Sequence, residues 1–180
     1  VLVNSLNPNR LEGQKTAAFE IVEELGEPPE VLALPYGGGG NTCAYARGFE
    51  EAGAGLRLPR ILAAQASERA ATAASAIRIT EPVHAPDVEQ ALARTGGSVL
   101  TVSDDSILDA WRLLAHEEGL FCEPASAAGV AGLAAAGLEP GSRVVCVITG
   151  HGLKDPETAT RLSPPLVPVD PDPDSIAAAA

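Results

Sequence analysis

The chain has 180 residues, 46% hydrophobic and only 3% aromatic, so the expectation is one domain whose core is filled by Ala, Val, Leu and Ile. Twelve Lys and Arg stand against 24 Asp and Glu, a formal charge of −12 that repels nucleic acid and anionic membrane and excludes a broad basic groove. Cys43, Cys122 and Cys146 lack C-x-x-C spacing, which argues against a disulfide framework or a zinc site, and no apolar run approaches the ~20 residues of a membrane span; a cytoplasmic protein is expected.

Val1-Leu2-Val3 leads into Asn4 to Arg10, where polar residues and Pro8 favour a turn. Apolar residues at helical spacing from Leu11 through Ala17, Ala18, Ile21, Val22 and Leu25 predict one helix, stopped by Gly26 and Pro28-Pro29. Arg10 falls in or beside its first turn, where a cation opposes the helix dipole. A bound anion would offset that conflict; a solvated surface arginine is the alternative.

Val31 to Leu34 suits a buried strand, and Gly37-Gly38-Gly39-Gly40 separates it from a helix through Tyr45, Ala46 and Phe49, capped by Asn41 or Thr42. Glycine permits positive φ, and backbone N–H groups without side chains can close around an anion at the positive end of that helix, phosphate being the natural occupant. A glycine-rich connection that binds nothing is the other reading. In a chain this acidic, an anion must be held locally, by a few amides and a cation.

Arg60 to Ala66 reads as a second buried strand, Ser98 to Val102 as a third and Arg143 to Thr149 as a fourth, the run Val144 to Ile148 being apolar enough for burial on both faces of a parallel sheet. Between them, Asp87 to Arg94 is helical in composition, Ser103 or Asp104 caps a helix with Ile107, Leu108, Trp111, Leu114 and Ala115 on one face, and Glu123 opens an alanine- and glycine-rich helix to Gly137. Ser67 to Ala76 is ambiguous, and Ile77-Arg78-Ile79 is a loop or a short strand. Alternation of strands and helices predicts an open α/β domain with a mainly parallel sheet and helices on both faces, whose ligands bind beyond the carboxyl ends of the strands. Residues 1–161 form this unit, and the proline- and aspartate-rich residues 162–180 form a surface or mobile tail.

Several stretches together resemble the threonine synthase family of pyridoxal-phosphate enzymes, which convert O-phosphohomoserine and water to threonine and phosphate. They are Asn4-Ser5-Leu6-Asn7-Pro8-Asn9-Arg10-Leu11-Glu12-Gly13-Gln14-Lys15-Thr16-Ala17, the glycine turn with Asn41, Ala76-Ile77-Arg78-Ile79, Phe121 to Gly129, and Thr149-Gly150-His151-Gly152-Leu153-Lys154-Asp155-Pro156. The first is the most specific, whereas E-P-A-S-A-A-G is also found in related dehydratases. The resemblance implies the large cofactor domain of a fold-type II enzyme. It assigns Gly37, Gly38, Gly39, Gly40 and Asn41 to the cofactor phosphate, Thr149 to the pyridine nitrogen, and Asn4, Ser5 and Arg10 to the substrate phosphate.

It also implies an absence. The family's Schiff-base lysine belongs to an N-terminal half that precedes the matching residues, and neither Lys15 nor Lys154 matches its position, so the chain corresponds to a C-terminal half, inactive without its complement and expected in a homodimer. No metal is implied. His151 is expected to orient the turn after Thr149, while His84 and His116 read as surface residues. Three departures stand out: three central glycines where the family turn reads G-N-A-G-N, a short segment after Ala64, and Thr80-Glu81 in place of Gly-Asn. They leave open a dehydratase, a paralogue acting on another amino acid, or a non-catalytic regulatory fragment.

Overall fold

The computed structural model describes residues 5–53, 55, 57–163, 165 and 168–179. In chain order the elements are α1 (Pro8–Gln14), α2 (Thr16–Leu25), β1 (Val31–Pro35), α3 (Gly40–Ala52), β2 (Arg60–Ala66), α4 (Ala85–Thr95), β3 (Ser98–Val102), α5 (Asp104–Glu117), α6 (Pro124–Ala135), β4 (Val144–Cys146), α7 (Pro156–Leu162) and α8 (Pro173–Ala179), with 3-10 turns at Ser75–Ile77 and Gly152–Lys154. The sheet has the order β3-β2-β1-β4 and every pairing is parallel.

β1 is buried throughout, so both of its faces need covers. Side chains alternate along a strand. Leu32 and Leu34 join Tyr45, Phe49, Val88 and Leu92 from α3 and α4 on one side, and Val31 and Ala33 meet Leu62 and the end of α6 on the other. α6 approaches closely because it is made of small residues: a Cβ on Gly129 would sit 3.2 Å from the Leu34 nitrogen, and one on Gly132 would sit 3.3 Å from Ala64 Cβ. The expected α/β sheet with helices on both faces is therefore the observed one.

Three local expectations are corrected. The helix expected over Leu11 to Leu25 is broken at Lys15, where the Thr16 hydroxyl donates to the Gly13 carbonyl at 2.8 Å and the start of α2 bears on α3. α3 begins earlier than expected: Gly39, at φ +92, is the N-cap, and Asn41 and Thr42 lie inside the first turn. The fourth strand is only Val144–Cys146 and is half-buried rather than enclosed, because it forms one edge of the sheet among the described residues. Around Ile77, expected as a loop or a short strand, the chain makes a 3-10 turn. The tail carries helix α8, whose start Asp172 organises by accepting the Asp174 and Ser175 N–H groups. The expectations placed on Val1-Leu2-Val3 and Asn4 lie outside the described residues.

The α2–α3 contact gives a test of this packing. A Cβ on Gly48 would collide with the Lys15 carbonyl and come within 2.7 Å of Ala18 Cβ, whereas one on Gly13 meets nothing within 4 Å. Gly48→Ala should lower unfolding free energy by about 1–3 kcal/mol. Gly13→Ala should leave it unchanged or raise it by up to about 1 kcal/mol, since alanine favours helix. Urea denaturation of the two variants measures the difference, and coincident midpoints would contradict the close approach.

Candidate functional site

The order β3-β2-β1-β4 contains a reversal. From β1 the chain steps outward through α3 to β2 and through α4 to β3, while β4 pairs with the opposite edge of β1. In a parallel sheet, a reversal of strand order leaves a crevice beyond the carboxyl ends of the two adjacent strands on either side of it, here β1 and β4. The register puts those ends together: Ala33 lies opposite Cys146, and the Val147 N–H donates to the Ala33 carbonyl at 2.9 Å. Beyond them lies a cavity of about 220 Å³, bordered by Gly37 to Asn41 after β1, Thr149 after β4, and Ser5, Arg10 and Gln14 from the N-terminal segment and α1.

On the β1 side, two of the glycines, Gly37 and Gly39, are constrained by their neighbours. A Cβ on Gly37 would meet the Ala76 carbonyl and Ile79 Cδ1 at 3.3 Å, and one on Gly39 would stand 2.6 Å from Val88 Cγ2 as well as facing the unfavourable φ. The turn delivers the N-terminus of α3 to the cavity, and the first-turn N–H groups at Gly40, Asn41 and Thr42 have no intrahelical acceptor. The helix dipole adds positive potential at the same place. Thr42 Oγ1 is buried beside them with no hydrogen-bond partner among the described residues.

On the β4 side, fully buried Ser126 in the first turn of α6 organises the strand exit. Its hydroxyl accepts the Gly150 N–H at 2.8 Å and lies 3.1 Å from Thr149 Oγ1 and 3.3 Å from the Gly150 carbonyl. When the Ser126 proton goes to Thr149, the threonine proton is free for an acceptor in the cavity. A Cβ on Gly150 would run into the Glu123 carboxylate, so a side chain at this crossing of α6 and the strand exit would require Glu123 to move. His151 takes the role expected of it: Nδ1 accepts the Leu153 N–H at 3.1 Å, and the residue pairs with Cys122 across an antiparallel bridge.

The third wall comes from the N-terminal segment. Arg10 is the third residue of α1, exposed, with no acceptor for its guanidinium among the described residues, and Gln14 projects from the same face one turn later. Ser5 is held over the turn by His84, whose Nε2–H donates to the Ser5 carbonyl at 2.8 Å. His84 is thus no surface residue: its side chain is 12% exposed and packs on Gly39, while His116 is exposed as expected. Asn4 lies outside the described residues. Neither lysine borders the cavity. Lys15 is clamped 2.6 Å from Glu12 and 2.7 Å from Glu51, and its hydrogen bonds to these carboxylates push its ammonium above the ordinary lysine pKa.

Residues 1–150 match the family described as pyridoxal-phosphate dependent enzyme. The chain belongs to that family. It is 49% identical over 178 residues to threonine synthase from Synechocystis sp., covering 90% of this chain and 47% of that protein. It is 47% identical over 190 residues to threonine synthase from Mycobacterium tuberculosis, covering 96% and 53%. The chain thus spans about half the length of the curated relatives it matches. The solved structure of threonine synthase from Escherichia coli matches with a TM-score of 0.72 at 25% identity, over 90% of this chain and 44% of that one. O-acetyl serine sulfhydrylase isoform 3 from Entamoeba histolytica also reaches 0.72, at 16% identity over 90% and 49%, a likeness of fold alone.

The residues present suit the family's cofactor. A phosphate needs donors without a competing side chain, which the glycine turn and the start of α3 supply, and the ring nitrogen of a flat heterocycle needs a polar partner, which Thr149 can be. Pyridoxal phosphate is thus the expected occupant. Four contributors were given no role at the site by the sequence: Gln14, Ser126, His84, which read as a surface residue, and Arg69, which is bonded to the Tyr36 and Gly37 carbonyls. Only Gln14 carried a local signal, its i, i+4 spacing from Arg10. Ser126→Ala should cost about 1–3 kcal/mol in unfolding free energy, because it strands the buried Gly150 N–H. Thermal or urea unfolding reads the loss, and an unchanged midpoint would remove Ser126 from this role.

Proposed function

We propose that the chain is the C-terminal half of a threonine synthase, a pyridoxal-phosphate lyase that converts O-phosphohomoserine and water to threonine and phosphate in the cytoplasm. The observation that carries the reading is that the glycine turn, Thr149, Ser5 and Arg10 border one cavity at the β1/β4 switch point. Identity of 47–49% to two threonine synthases over at least nine-tenths of the chain supports the same assignment.

In this reading the amides of Gly37, Gly38, Gly39, Gly40 and Asn41 hold the cofactor phosphate, and the Thr149 hydroxyl meets the ring nitrogen. When bound, pyridoxal phosphate supplies an electron sink for carbanionic charge on the substrate. Thr149, a neutral partner, does not enforce ring protonation as a carboxylate would, and so moderates how much charge the ring accepts. Arg10, with Ser5 and Asn4, binds the substrate phosphate: a forked cation with no other acceptor among the described residues and short polar side chains suit three anionic oxygens. Proton transfers at the substrate carbons belong to a lysine of the complementary N-terminal half. Residues 1–161 make up this chain's share of the catalytic domain, residues 162–180 form its tail, and the assembled enzyme is a homodimer.

Two experiments test this. The chain alone should form no threonine and show no absorbance of a lysine-bound cofactor, and co-expression with the N-terminal half should restore both. Turnover by the chain alone, with borohydride-stable labelling of Lys15 or Lys154, would refute the reading. In the assembled enzyme, Arg10→Ala should weaken phosphohomoserine turnover, measured as kcat/KM, by about 2–4 kcal/mol while the cofactor stays bound. Unchanged kinetics would return Arg10 to the solvated surface.

A further inference from the structure

Four carbonyls line the path from β1 into α3, and each has a partner. The Gly39 oxygen accepts the Cys43 N–H at 3.1 Å, and the Gly38 oxygen accepts the His84 N–H at 3.1 Å. The Tyr36 and Gly37 oxygens are taken by one side chain, Arg69, whose Nη2 donates to them at 2.9 and 3.0 Å. The guanidinium carbon lies 4.7 Å from the centroid of the Tyr36 ring, and Nε is buried without a partner among the described residues. Burial pushes the Tyr36 phenol above its ordinary pKa, so the arginine rests on a neutral ring. Arg69 comes from the short link Ser67 to Ala74 after β2 and is not part of the cavity wall.

A partly buried cation spent on two main-chain oxygens of one turn has a consequence for what the turn can hold. A peptide unit that flips exchanges its N–H for its C=O, and a carbonyl turned toward an anion repels it. Two carbonyls held by the two N–H groups of one charged nitrogen cannot both flip without leaving a partly buried guanidinium unpaired. From this we propose that Arg69 is a positioning residue: it presets the glycine turn with amides toward the cavity and carbonyls behind, and so contributes to phosphate affinity without touching the phosphate. The proposal rests on the reading that this turn binds the cofactor phosphate.

Because the turn lies wholly within this chain, the test uses the chain itself, in equilibrium dialysis against pyridoxal phosphate and against pyridoxal, which lacks the phosphate. Wild type should prefer pyridoxal phosphate. Arg69→Met should lower pyridoxal phosphate affinity by about tenfold while pyridoxal affinity stays within about twofold, and Arg69→Lys should recover part of the loss. A general structural role would lower both affinities together, leaving their ratio unchanged, and that ratio would overturn the proposal while leaving the cofactor reading intact. Wild type without preference for the phosphorylated ligand would overturn both. If Arg69→Met yields no folded protein, the same ratio in Arg69→Lys decides, a value equal to wild type counting against the proposal.

Discussion

Strand β1 carries parallel partners on both edges and helices on both faces, and nearly every other feature follows from that enclosure. Its five residues must all be apolar and its neighbours must approach within van der Waals contact, which is why α6 is built of alanine and glycine at the crossing. After β1 the chain runs outward to β2 and β3 on one side and returns through α6 to place β4 on the other. The crevice at the carboxyl ends is the geometrical result, and it opens where the glycine turn and Thr149 emerge.

Electrostatics then has to work against the molecule as a whole. A formal charge of −12 disfavours any anion, so binding depends on short-range donors whose own desolvation is already met by the fold. Helix α3 brings a dipole and free first-turn amides, and Arg10 brings a guanidinium with no acceptor among the described residues. Five other cations are paired with carboxylates: Lys15 with Glu12 and Glu51, Arg47 with Glu12, Arg94 with Glu50, Arg112 with Asp109 and Arg143 with Glu27. Arg10 is available at the cavity mouth, whereas these five cations are neutralised locally.

The cavity is also supported from behind. Ser126 fixes the exit of β4, His84 ties Ser5 and the Gly38 carbonyl to the start of α4, and Arg69 ties the exit of β1. These groups come from different parts of the chain and meet only because β1, β4, α4 and α6 converge at one end of the sheet. Cys43, by contrast, lies on the far side of the same helix start, where burial pushes its thiol up to about 11, so it remains a neutral apolar filler.

Residue pattern alone determined the strands at Val31, Arg60 and Ser98, most helices, and the nature of the glycine turn, because each depends on periodicity, capping or the freedom of glycine within a short window. It also marked Ser5, Arg10, the glycines and Thr149 through a resemblance carried by contiguous motifs. What it could not decide was set by contacts between distant residues. Whether Val144 to Cys146 lies inside or at the edge of a sheet depends on which strands pair, so its apolar run read as enclosed. The break at Lys15 follows from the pressure of α3 on α2, and the burial of His84 from its place between α4 and the N-terminal segment. Ser126, Arg69 and the cavity itself have no local signature: their partners are 24, 32 and 33 residues away in sequence, and only the closing of the sheet around β1 makes them neighbours.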